Sequence, residues 1–186
     1  MKDPANLSAG DMLLVHGGKS IVALGITEFM REYCRINGYK YEQLYHHAAL
    51  VVWDRGQLRI AEAVGRGWQV RPPLEAYSLE EFHERVDVFR PSIDWSSQEV
   101  IRLSDLAIDY SEKITRYDYA NFLFQMYWIR HGVWLGPKGA KAEGRLYCSE
   151  GVATIFHKLR ADLCDEPWRY NPMDLYLEPG IQRIDK

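Results

Sequence analysis

The chain has 186 residues, 47% hydrophobic and 26% charged, with a formal net charge of −3. That is the profile of a soluble globular protein, and the length suits one domain over residues 1–186. A pI of about 6.1 leaves no basic field for nucleic acid, and no apolar run reaches membrane-spanning length.

Leu7-Ser8-Ala9-Gly10-Asp11 leads into the apolar run Met12-Leu13-Leu14-Val15, a predicted short buried strand that Gly17-Gly18 ends. Ser20 caps a predicted helix with Ile21, Leu24 and Phe29 near one face, ending between Cys34 and Gly38. Residues 39–45 read as a polar, tyrosine-rich loop. Residues 47–53 and 58–64 are β-type runs, and Asp54-Arg55-Gly56-Gln57 between them predicts a hairpin. Trp68-Gln69-Val70 extends the sheet as far as Pro72-Pro73, and residues 85–89 form a further strand stopped by Pro91. Ser96-Ser97-Gln98-Glu99 is a capping-box pattern opening a helix through Val100, Leu103, Ala107 and Tyr110. Asp118 caps a second helix, residues 119–131, with Gly132 just past its end. Residues 136–144 are a small-residue loop expected to act as a rim or lid beside Tyr147-Cys148. Residues 167–179 read as irregular and 180–184 as a last edge strand.

Leu146-Tyr147-Cys148-Ser149-Glu150 places a cysteine in the first turn of a predicted amphipathic helix. Cys148, Val152, Ile155, Phe156 and Leu159 recur at three- and four-residue steps. The free N–H groups and partial positive charge of a helix start favour thiolate over thiol. With Cys34 and Cys164 the chain has only three scattered cysteines, too few for a disulfide framework. No C-x-x-C pair signals zinc, so neither a metal nor a cofactor is expected. The N-terminus shows no apolar signal-peptide core, and a reducing, cytoplasmic setting is expected.

A thiolate nucleophile needs a base that also serves as an acid, and the base needs an orienting partner. His46 and His47 both qualify as the base. They sit at the start of the first hairpin strand, where alternation should point them to opposite faces of the sheet. Glu62 lies on the second strand among Ile60, Ala61, Ala63 and Val64, close enough across the ladder to reach an imidazole. A metal shared by His46, His47 and Cys148 is disfavoured, because adjacent strand histidines diverge.

The ordered set Gly10-Asp11-Met12-Leu13-Leu14, His47-Ala48-Ala49-Leu50-Val51, Glu62-Ala63, Tyr117-Asp118-Tyr119 and Tyr147-Cys148-Ser149-Glu150 resembles a known family. It is similar to the circularly permuted NlpC/P60 cysteine hydrolases, the YiiX/YebB-like group related to the lecithin retinol acyltransferase family. The family pattern matches His47 rather than His46, and departs mildly in having Ala49 where glycine is frequent. The resemblance implies an α+β, permuted papain-like fold with a small antiparallel sheet against the Cys148 helix. It implies Cys148 as nucleophile, His47 as general base and acid, and Glu62 orienting His47.

The expected activity is hydrolysis of an amide, peptide-like bond through an acyl-thioester. Thioesterase or acyltransferase chemistry on lipid-like acyl groups, and a non-catalytic papain-like binding module, are the alternatives. The Cys148 N–H is an expected oxyanion donor, and Tyr147 and Tyr117 are expected to contact substrate.

Overall fold

The computed structural model describes residues 4–136 and 145–185. After a 3-10 turn at Pro4–Asn6, Met12–His16 forms β1 and Ile21–Asn37 forms α1. The Ser20 hydroxyl accepts the Ala23 N–H at 3.1 Å and starts α1, while Gly38 closes it in the left-handed region. Tyr45–Asp54 (β2) and Gln57–Val64 (β3) form the hairpin. Arg55 and Gly56 both take positive φ, 49° and 80°, the two-residue turn whose twist matches the strands it joins. Gly67–Arg71 (β4) follows, then Pro73–Ala76 (α2), Leu79–Arg85 (α3) and Val86–Pro91 (β5). Ser97–Lys113 (α4) opens on the Ser96–Glu99 capping box, and Arg116–Tyr117 forms β6. Tyr119–His131 (α5) starts on the Asp118 carboxylate. The chain ends with Arg145–Leu146 (β7), Cys148–Leu159 (α6), Pro172–Leu177 (α7) and Ile181–Arg183 (β8).

Six of the strands form one antiparallel sheet in the order β4-β3-β2-β1-β5-β8, and β6 and β7 pair in parallel apart from it, so the fold is α+β. Its two faces bury separate cores. Ala48, Leu50 and Val52 of β2 face a large core shared with α1, α4, α6 and α7, whereas Ala49 and Val51 face a smaller one around Tyr77, Phe82 and Val88. Among the described residues, no helix is long and apolar enough to cross a membrane.

Two expectations give way to the observed packing. Helix α1 buries Ala23, Ile26, Met30, Tyr33 and Cys34, whereas Ile21 is 89% exposed and Leu24 53%. Its first turns are apolar on every side, so packing against the sheet, not periodicity, chose the inner face. Helix α6 buries its apolar stripe in the main core and more besides: every residue from Cys148 to Phe156 is buried, between sheet, α4 and α7. The span 167–179 is ordered, with a 3-10 turn at Pro167–Arg169 and α7 capped by Asn171. Helix α3, beyond the predicted elements, opens on a capping box between Ser78 and Glu81. Of the expected lid at 136–144, residues 137–144 lie outside the described residues.

Candidate active site

Cys148 is the first residue of α6, and Tyr147 precedes it as N-cap in extended backbone. The thiol therefore lies at the positive end of a buried helix. The parallel pair β6–β7 sets Tyr117 against Leu146, which brings the Tyr117 hydroxyl within 3.8 Å of Cys148 Sγ.

His47 reaches the thiol because the sheet opens. The β2–β3 ladder runs from Asp54↔Gln57 only as far as Leu50↔Ala61. Beyond that point the Ala48 amide has no β3 partner, and its N–H donates to Cys148 Sγ. Glu62 shares the Ile60 face of β3, Cys148 lies on the helix side, and the His47 ring spans the gap. His47 Nε2 is 2.7 Å from Glu62 Oε2, which leaves Nδ1 for the sulfur.

Glu62 is 1% exposed and three groups hold it. Besides His47, the Tyr77 hydroxyl donates to Oε2 at 2.8 Å and Arg71 pairs with Oε1. Burial alone would raise its pKa, but the bonds from His47, Tyr77 and Arg71 hold it down to about 2. Burial works against the His47 imidazolium too; the charge and hydrogen bond of Cys148, then those of Glu62, outweigh it and lift the ring to about 10. Burial likewise disfavours the thiolate, yet His47, the Ala48 N–H and the Tyr117 hydroxyl pull the Cys148 pKa below its ordinary value. The site thus favours a thiolate–imidazolium pair backed by a carboxylate. The Tyr117 pKa is raised, by burial first and the Cys148 charge next, so its hydroxyl keeps a proton to donate.

His47 and Tyr117 both line a cleft of about 550 Å³ whose other walls include Ile26, Val64 and Phe122. Tyr147 does not line it. Its hydroxyl donates to the Trp168 carbonyl at 2.9 Å and its ring packs on Phe122, so it ties the 3-10 turn to α6.

The regular alternation on which the opposite-face expectation for His46 rests is interrupted. Val15 pairs with His47 but His16 pairs with Tyr45, so His46 is the extra residue of a β-bulge. His46 and His47 both line the cleft, which opens at the end of the sheet and takes residues from both of its faces. Arg71 and Tyr77 were also missed. For Arg71 a signal existed: the tight turn after Val64 pairs Glu62 with Gln69 and Ile60 with Arg71, making Arg71 a diagonal neighbour of Glu62. Nothing local in the sequence marks Tyr77, which arrives through the loop between α2 and α3.

Behind the thiol, Glu150 accepts from Asn121 Nδ2 at 3.2 Å and from the Tyr147 N–H at 3.4 Å. Burial pushes its pKa up to about 8 despite those bonds, with Asp118 and Cys148 adding to the rise. The folded protein then holds this proton more tightly than the unfolded chain does. The resulting penalty is absent below the ordinary carboxyl value of 4.5, grows as pH rises and is complete above about 8. Glu150→Gln is expected to raise Tm by several degrees at about pH 8.5 and to change it little at about pH 4.5. Equal shifts at both pH values would mean that Glu150 is ionised in the fold.

No protein-family model matches the chain, and no curated protein does. Among solved structures, the chain is similar to the crystal structure of the metalloprotein yiiX from Escherichia coli O157:H7, a DUF1105 protein. The TM-score is 0.57 at 17% identity, covering 96% of each chain, which makes the likeness one of fold. Among the described residues, the side chains do not fit a metal centre. Among the described residues no group of three or more His, Cys, Asp or Glu side chains gathers to hold an ion. His47 is committed to both Glu62 and Cys148.

Proposed function

We propose that this chain is a cysteine hydrolase of the permuted papain-like type, acting on an amide bond through an acyl-thioester on Cys148. The Cys148 thiolate attacks the substrate carbonyl carbon. The negative charge moves to the carbonyl oxygen, which accepts from the Cys148 N–H and the Tyr117 hydroxyl. The His47 imidazolium gives its proton to the leaving nitrogen as the C–N bond breaks. His47, now neutral, takes a proton from water, and the hydroxide formed attacks the thioester. The carboxylic acid leaves, and thiolate and imidazolium are restored. Glu62 holds the His47 ring in place and offsets its charge; Arg71 and Tyr77 hold Glu62.

The observation that carries this reading is the continuous chain Glu62–His47–Cys148, with its charges favoured at every link. A pure binding module gains nothing from a buried carboxylate that sustains an imidazolium beside a thiolate. The YiiX-like fold is consistent with it. A second reading, thioester hydrolysis or transfer of a lipid-like acyl group, is favoured by the apolar cleft walls. Parallel assays of matched amide and thioester substrates, with and without an added amine acceptor, separate the two.

The thiols themselves give a direct test. Burial first, then the nearby Asp174 charge, pushes the Cys34 thiol up to about 11, and burial first, then Glu178, raises that of Cys164. Iodoacetamide at about pH 6.5 is therefore expected to modify Cys148 and spare the other two. Peptide mapping that finds Cys148 unmodified while Cys34 or Cys164 reacts overturns the proposal.

A further inference from the structure

The fold leaves a set of apolar side chains uncovered at the mouth of the catalytic cleft. Helices α1 and α5 meet there, through the Phe29 and Phe122 rings at 6.4 Å. Val22 of α1 and Tyr119 and Leu123 of α5 line the cleft, yet they are 62%, 55% and 60% exposed. Exposed Ile21 and Leu24 continue the patch on α1, and exposed Tyr127, one turn past Leu123, continues it on α5. Ile21, at 89% exposure, projects from the surface instead of resting in a groove. Contiguous apolar surface of this kind on a soluble fold marks an interaction site.

The charges at the mouth run against those of the chain as a whole. The exposed charged residues next in sequence to the cleft lining are Lys19, Arg66, Arg116 and Glu75. Three of these four are basic, in a chain of net charge −3. Lys19 precedes α1, Arg66 lies in the β3–β4 turn and Arg116 opens β6. That turn sits against the patch, because a Cβ on Gly65 would lie 3.5 Å from the Tyr119 hydroxyl. Lys19, Arg66 and Arg116 form no ion pair with another described residue. Asp118, the acid nearest the patch in sequence on α5, is buried as the cap of that helix.

We infer that this rim is a docking surface for an anionic lipid bilayer. Ile21, Val22, Leu24 and Leu123 enter the acyl region, and Lys19, Arg66 and Arg116 meet the phosphate headgroups. Tyr119 and Tyr127, each an apolar ring with a polar tip, suit the boundary between the two. A folded protein partner would need a matched cavity for the projecting Ile21, whereas acyl chains close around such a side chain without one. The same contact accounts for the unpaired basic residues. Docked in this way, the cleft opens against the bilayer.

Sedimentation with lipid vesicles tests this without any turnover, so the result is separate from the fate of the hydrolase reading. Wild-type protein should bind vesicles of phosphatidylcholine with about a third phosphatidylglycerol at least about tenfold more tightly than vesicles of phosphatidylcholine alone. Raising the salt from about 0.1 M to about 1 M should weaken the first and leave the second little changed. Ile21→Asp should weaken binding to both by about tenfold or more. That variant keeps the fold, because position 21 opens α1 and an acidic residue suits a helix start; circular dichroism checks it. Arg66→Glu, in an exposed turn, should weaken binding to the anionic vesicles alone. Wild-type protein that stays in the supernatant with anionic vesicles overturns the inference. So does vesicle binding that neither variant reduces, since the membrane contact would then lie elsewhere. A concentration-dependent dimer that Ile21→Asp dissociates, with no vesicle binding, assigns the patch to a second copy of the chain and also overturns it.

Discussion

Cys148→Ala is expected to abolish turnover, with a fall in kcat of at least about 10⁴-fold, while the melting temperature changes by no more than a few degrees. The sulfur is the only atom that bonds to substrate, so no neighbour can take its place. Little packing is lost, because alanine is smaller only by that atom and suits a buried first turn. His47→Ala should lose a similar factor, since the acid, the base and the support for the thiolate go together. Its stability cost should be larger, because Glu62 remains buried with Arg71 and Tyr77 alone. Glu62→Gln should lose less than either. It retains hydrogen bonding to His47 and Tyr77 but removes the charge that sustains the imidazolium. Circular dichroism alongside the assay separates lost chemistry from lost fold. A Glu62→Gln enzyme as active as the wild type would remove Glu62 from the mechanism.

The largest stability effect is expected at Gly151, one turn into α6. A Cβ there would lie 2.1 Å from Cζ3 of Trp68, a contact no real side chain makes. Trp68 has no room to retreat: it is 2% exposed and its Nε1 donates to the Ala107 carbonyl of α4 at 3.0 Å. Gly151→Ala must therefore lift α6 off β4, at a cost of about 1–3 kcal/mol or more. For a chain of this length that lowers Tm by roughly 2–4 °C per kcal/mol. The shift also moves Cys148, so kcat should fall with stability. Trp68→Phe in the Gly151→Ala background should recover part of both, as residues in contact couple. A Gly151→Ala protein that melts within a degree of the wild type would show that the helix and the ring are not packed so closely.

Short-range chemistry was readable wherever it acts alone. Ser20, Ser96 and Asp118 cap α1, α4 and α5 because each offers an oxygen to an N–H two or three residues on. The Arg55-Gly56 turn was readable for the same reason, and so was the position of Cys148 at a helix start. The Ser78–Glu81 and Asn171–Asp174 boxes are equally local signals for α3 and α7. Other features have no local signature. The inner face of α1 depends on which of several apolar sides meets the sheet.

The sequence by itself determined the helix caps, the hairpin, the thiol at a helix start and a histidine and a carboxylate on paired strands. All of these follow from residues within a few positions of one another or across a two-residue turn. Only the tertiary structure decided that they meet. The β2–β3 ladder stops at Leu50↔Ala61, which frees the Ala48 amide and lets His47 bridge from Glu62 to a helix start about a hundred residues later in the chain. It alone decided that His46 shares the cleft. A one-residue bulge against β1 interrupts the alternation of β2 there, and such a register shift exists only in the pairing of the two strands.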